Sequence, residues 1–157
     1  MYSLTHPNII KLYNHFEDDD NFYLIMEIAE GGTLFKALRK RKTLDERSTA
    51  QFMREVALAV QYLHQRYPPI IHRDIKPENI LLDSEGTAKL SDFGWSNFNN
   101  DERDTYCGTL EYLAPEMIAR TGHGIELDLW NLGILLFELL AGRPPFESKS
   151  QTELLTK

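Results

Sequence analysis

Cysteine is almost absent. Cys107 stands alone among 157 residues, so no internal disulfide can form and the chain suits a reducing compartment. Basic charge is also short: 17 lysines and arginines face 24 aspartates and glutamates, a formal charge of −7. That balance argues against nucleic acid or an anionic membrane as the main partner, while leaving room for a local cationic phosphate site. No apolar run approaches the roughly 20 residues needed to span a bilayer. The most apolar stretch, Leu132 to Ala141, also carries Glu138 and reads as a buried core helix. Met1-Tyr2-Ser3-Leu4-Thr5-His6 lacks the basic-then-apolar pattern of a leader peptide. There are no internal repeats and no low-complexity segments, and 42% hydrophobic residues suit one soluble domain.

The pattern that remains mixes strands and helices. Ile9 to Phe16 is rich in β-branched and aromatic residues and reads as a strand. Glu17-Asp18-Asp19-Asp20-Asn21 then forms a polar turn, and Phe22 to Ile28 reads as the antiparallel partner. After Glu30-Gly31-Gly32, the residues Leu34, Phe35 and Leu38 predict a short helix. A longer helix begins either from a Thr43/Glu46 capping box or from Asp45 as N-cap. Its apolar face is Met53, Val56, Ala57, Val60 and Leu63, and Tyr67-Pro68-Pro69 stops it. Residues 92–115 show little periodicity, and so long a loop inside a compact domain is usually functional. A second apolar helix covers Leu127 to Leu140 and ends at Gly142-Arg143-Pro144-Pro145.

Chemistry concentrates in His72-Arg73-Asp74-Ile75-Lys76-Pro77-Glu78-Asn79, which puts a carboxylate, an ammonium and an amide on one short loop. Phosphoryl transfer needs those parts: a base orienting the attacking hydroxyl, a cation for the moving phosphate and an oxygen ligand for a metal. Asp92-Phe93-Gly94 adds a second carboxylate at a strand end, and Mg²⁺ favours one or two carboxylates plus substrate phosphates. A lone His-Arg-Asp is an ordinary polar turn and a lone Asp-Phe-Gly a common tripeptide. Here both occur in order with Ala114-Pro115-Glu116 and with Asp128-Leu129-Trp130-Asn131-Leu132-Gly133, which removes coincidence.

On those residues the chain resembles eukaryotic protein kinases. The resemblance implies an α+β protein-kinase-like fold: an incomplete helical C-lobe over 31–157 behind a two-strand N-lobe remnant and hinge over 1–30, with an activation segment at 92–116. It implies ATP and Mg²⁺ as cofactors. Asp74 becomes the catalytic base, Lys76 the contact to the transferred phosphate, Asn79 and Asp92 the metal ligands, and Arg73 the anchor of the activation segment. Met26 becomes the gatekeeper, Glu27, Ile28 and Ala29 the adenine-binding hinge, and Leu81 the adenine floor. Glu78 joins the nucleotide-side set, and it also matches the acidic residue through which basophilic kinases favour arginine just upstream of the target; a solvated loop carboxylate is the plain alternative. Lys76 together with Gly108-Thr109-Leu110-Glu111-Tyr112 resembles the serine/threonine branch. The family usually has serine where Asn131 stands.

Trp95-Ser96 after the Asp-Phe-Gly, Cys107 to Leu113, and His6-Pro7-Asn8-Ile9-Ile10 resemble Aurora kinases. The acidic, asparagine-rich segment from Asn97 to Asp104 and the long Tyr67-Pro68-Pro69 connection depart from them. Thr105 aligns with the family's phosphorylated threonine, with Arg73 as the phosphate's partner and Arg103 placed for self-phosphorylation in trans. The resemblance further implies protein substrates, an activating protein partner, and an intracellular location, cytoplasmic or nuclear, with spindle or centrosome association by Aurora analogy alone. The chain shows no Gly-x-Gly-x-x-Gly loop, no preceding lysine strand and no closing helices. The expectation is therefore a serine/threonine kinase recorded in part, inactive as this piece alone. A naturally truncated kinase-like scaffold is the alternative; the intact Asp74, Asn79 and Asp92 weigh against it.

Overall fold

The structure, a computed structural model, describes residues 4–93, 97–98, 110–119, 122 and 124–147. Strands β1 (Leu12–Glu17) and β2 (Phe22–Met26) form the expected antiparallel hairpin, with Asp18 closing the turn by accepting from the backbone N–H of Asp20 and Asn21. Its boundary differs from the expected Ile9 start. Ile9 and Ile10 leave the hairpin and lie along Leu90, each only 2% exposed. Burial of two isoleucines there outweighs strand propensity, at roughly 1.5–3 kcal/mol per side chain. The hairpin itself is apolar on both faces yet open: Phe16, Phe22, Leu24, Ile25 and Met26 are all exposed.

Short strand β3 (Gly32–Thr33) leads into α1 (Leu34–Arg41), which Thr33 caps by accepting from Lys36 N–H at 3.2 Å. Helix α2 (Glu46–His64) is capped by Asp45, which accepts from both the backbone N–H and the hydroxyl of Ser48. Asp45 thus displaces the Thr43/Glu46 capping box. Val56, Ala59, Val60 and Leu63 form the buried face of α2; Ala59 takes the place expected for Ala57, which is exposed. The helix ends at His64, before the first proline is reached, so the Pro68-Pro69 pair follows the stop without causing it.

Strand β4 (Ile70–Ile71) pairs with β7 (Asn97–Phe98), while β5 (Ile80–Leu82) runs between β3 and β6 (Ala88–Leu90). A short helix α3 (Pro115–Ala119) precedes α4 (Glu126–Ala141). One face of α4 is buried against α2 and the loop before β5. Leu129, Leu136, Phe137 and Leu140 on its other side are exposed, so the helix is apolar all round but only half covered. Gly142 ends it in a left-handed conformation (φ 76°), donating to Glu138 O at 2.8 Å. No helix among the described residues is long and apolar enough to cross a membrane.

Candidate active site

The loop from His72 to Asn79 is held from below by one carboxylate. Asp128, fully buried in the first turn of α4, accepts from Arg73 N–H through Oδ1 at 2.8 Å. Its Oδ2 accepts from His72 N–H at 2.9 Å and meets His64 Nε2, at the end of α2, at 2.7 Å. The loop and the end of α2 therefore both converge on Asp128 of α4. The sequence singled out its motif without showing this role. Arg73 has φ 72°, a left-handed backbone that costs a residue with a long side chain roughly 1–2 kcal/mol and persists only where surroundings impose it.

His72 is wholly buried. Its Nε2 lies 2.9 Å from Ser91 O, an acceptor, so that nitrogen carries the proton; Nδ1 accepts from Asp74 N–H at 3.3 Å. Burial lowers the His72 pKa, against the raising effect of the Asp128 charge, so the ring is neutral. Phe93 packs edge-on against it at 5.0 Å between ring centres. His72 thereby ties the loop to the strand end carrying Asp92.

Asp74 is almost fully buried, and its two carboxylate oxygens differ. Oδ2 receives Lys76 Nζ at 2.8 Å and Asn79 Nδ2 at 2.7 Å. Oδ1 has no partner among the described residues and is the oxygen left to face a hydroxyl. Asn79 Nδ2 also donates to Asp74 O at 2.9 Å, so the amide nitrogen is spent on Asp74 and the amide oxygen remains for a cation. Ser91 locks the two strands together, donating from both its N–H and its hydroxyl to Asn79 O at 2.9 Å. Next to it Asp92 is exposed and left-handed (φ 59°), which Asp tolerates better than most residues. Oxygen donors from an amide and an exposed carboxylate suit Mg²⁺, a hard cation that keeps few protein ligands.

Leu81 is the half-buried middle residue of β5; Ile80 and Leu82 on either side face the core, so Leu81 alone turns to the opposite face. Of the expected hinge, Ile28 is 79% exposed, and Ala29 O accepts only a long bond from Gly32 N–H at 3.4 Å. Glu27 N–H donates to Lys11 O at 2.8 Å, and its carboxylate pairs with Lys89 at 2.7 Å and accepts from Lys11 N–H. This Glu27–Lys89 pair, fastening the hinge to β6, had no sequence signal. Met26, the expected gatekeeper, is exposed in β2.

Glu78 is exposed and lines an acidic cavity of about 260 Å³ together with Glu111, Tyr112, Glu138 and Glu147. Two guanidiniums, Arg39 and Arg143, stand at the same cavity, so carboxylates outnumber cations there. Tyr112 donates its hydroxyl to Glu138. Burial pushes Glu138 above the usual carboxylate range, opposed by that hydrogen bond and helped by the charges of Glu78, Glu111 and Glu147. Burial and the same bond push the Tyr112 phenol up. Sequence reading found Glu78 and missed Glu138, although a carboxylate inside the most apolar run was the available clue. Thr105, Arg103, Cys107 and Trp95-Ser96 lie outside the described residues. Arg73, the expected phosphate partner, has a buried Nε with no hydrogen-bond partner among the described residues.

The sequence profile of the protein kinase domain matches residues 1–157. Mouse Aurora kinase C is 50% identical over 151 residues, covering 96% of this chain and 54% of its own length. Mouse Aurora kinase B is likewise 50% identical, with 43% of its length covered. Aurora kinase from Encephalitozoon cuniculi is 50% identical over 95% of this chain and 55% of its own. The chain thus spans about half the length of the curated relatives it matches.

Proposed function

Because the chain belongs to the protein kinase domain family, we propose that the full-length protein is an Aurora-type serine/threonine kinase moving the ATP γ-phosphate to a protein hydroxyl. The observation that carries this is the asymmetry of Asp74: Lys76 and Asn79 occupy Oδ2 and leave Oδ1 to accept the hydroxyl's proton. A base so held needs no rearrangement at the moment of reaction, and phosphoryl transfer depends mainly on such positioning.

Asn79 and Asp92 would hold Mg²⁺, which when bound neutralises phosphate charge. Lys76 supplies the protein's own cation beside the base. Backbone groups of Glu27, Ile28 and Ala29 would receive adenine, with Leu81 beneath it. Glu78, Glu111 and Glu138 support a preference for arginine upstream of the acceptor, since a guanidinium suits clustered carboxylates. The unpartnered buried Nε of Arg73 supports its role in receiving a phosphate, with Thr105 as the phosphorylated residue. An activating protein partner belongs to the same reading.

The test is phosphotransfer by the full-length protein to serine and threonine peptides. Asp74→Asn should lower kcat by roughly 10²–10⁴-fold, the usual contribution of a positioned base. Undiminished transfer by Asp74→Asn, or none by the wild type on any peptide, would refute the proposal.

A further inference from the structure

Between Leu34 and Leu44 the chain carries five cations, Lys36, Arg39, Lys40, Arg41 and Lys42, and no acid, although its formal charge is −7. All five residues are exposed, and among the described residues none of them forms an ion pair. Arg39 is steadied by its own helix, its guanidinium lying 5.7 Å from the centre of the Phe35 ring. The main chain of Lys42 abuts Gly142 at the end of α4, and Arg143 follows at the same corner, lining one cavity with Arg39. Arg143 meets Glu147 only at 3.9 Å, with both side chains more than half exposed.

Helix-end stabilisation accounts for part of this. Cations in the last turn complement the partial negative charge of the final carbonyls, and that effect fades within the turn. Lys36 with Arg39 and Lys40, however, sets like charges three and four residues apart, which destabilises a helix. Lys42 adds a backbone cost. Its φ of 71° is left-handed, and glycine is the ordinary residue just past a helix in that conformation. A lysine kept there, unpaired and next to three other cations, works against the fold, and strained residues of this kind cluster at binding sites.

We infer that the corner formed by Arg39, Lys40, Arg41, Lys42 and Arg143 is a docking surface for an acidic peptide segment, rich in aspartate and glutamate, of a protein partner. The four cations of α1 and its cap give up no internal ion pair when carboxylates arrive, and arginine can hold a carboxylate through two parallel bonds. The footprint is short. Glu78, Glu111, Glu138 and Glu147 stand beside Arg39 and Arg143, so an extended polyanion such as a nucleic acid or an anionic bilayer would meet like charge at the edge of the patch. A short peptide ends before that edge. The surface is argued from charge and backbone alone and does not depend on phosphotransfer.

The experiment follows, by fluorescence anisotropy, a labelled glutamate-rich peptide binding to the full-length protein, with its glutamine counterpart as control. The triple variant Lys40→Gln, Arg41→Gln, Lys42→Gln should raise Kd about 5–30-fold, the combined size of three exposed ion pairs. Lys42→Gly removes one charge and the left-handed strain together, so Kd should rise about 2–5-fold while the thermal midpoint does not fall. That second variant separates lost binding from lost folding. An unchanged Kd in the triple variant, or a wild type that binds both peptides alike, overturns the inference and leaves the cations as helix-end stabilisers. Tighter binding of phosphatidylserine vesicles or of a single-stranded oligonucleotide than of the peptide, lost in the same variant, assigns the corner to another polyanion and overturns it equally.

Discussion

Replacing Asp128 by asparagine changes one oxygen into an amide nitrogen and tests whether a single carboxylate holds the catalytic loop. The aspartate accepts from Arg73 N–H at 2.8 Å on one oxygen, and from His72 N–H at 2.9 Å with His64 Nε2 at 2.7 Å on the other. The less damaging orientation of the introduced amide points its nitrogen at Arg73 N–H, two donors facing each other. That loses one charge-assisted bond, about 1.5–3 kcal/mol, and leaves a buried donor unpaired at about 1–3 kcal/mol more. The expected loss is about 3–5 kcal/mol, close to that for breaking a buried ionic contact, out of a typical total of about 5–15 kcal/mol. Function should suffer as well. Arg73 holds φ 72° under that bond, and once released it relaxes toward ordinary φ and swings Asp74, its neighbour, away from Lys76 and Asn79. Urea unfolding of the full-length enzyme gives the stability, and peptide phosphorylation on the fraction still folded gives kcat. A midpoint shift worth less than about 0.5 kcal/mol, the range of ordinary surface substitutions, would refute the anchoring role.

Acid should weaken the fold through His72. Its pKa is depressed by burial below the ordinary 6.5, so the stability it brings is present above pH 6.5 and is lost as pH falls through 6.5 toward the folded-state value. Thermal midpoints between about pH 7.5 and about pH 5.5, a window spanning that loss, should fall less steeply in His72→Gln; equal slopes would exclude the ring as the source. Gly142→Ala should cost about 2–4 kcal/mol, combining the left-handed penalty with a Cβ placed 2.2 Å from Lys42 O, measured by chemical denaturation. A loss under about 1 kcal/mol would mean that the α1–α4 junction yields easily.

Sequence reading singled out Asp74, Lys76, Asn79 and Asp92 as candidates because phosphoryl chemistry demands particular side chains at short spacings, and local spacing is visible in one dimension; the structure brings Asp74, Lys76 and Asn79 into contact. Helices α1, α2 and α4 were legible for the same reason, their apolar residues recurring within a turn or two. Ile9 and Ile10 were misassigned because strand propensity is blind to whether a residue joins the next strand or one far along the chain, and burial against Leu90 decided it. Ala59 replaced Ala57 because small residues carry little periodic signal.

Local pattern by itself determined the motifs that carry the family resemblance and the positions of the helices. Those properties rest on residue type and near-neighbour geometry. Tertiary structure alone decided that Asp128 joins the loop and α2 to α4, that Glu27 is fastened to Lys89, and that Glu78 shares a cavity with Glu138. It decided too that Asn131 reaches Tyr112. Each of these pairs residues 19 to 64 positions apart, and electrostatic and hydrogen-bond energies depend on distance in space, which the order of residues does not record.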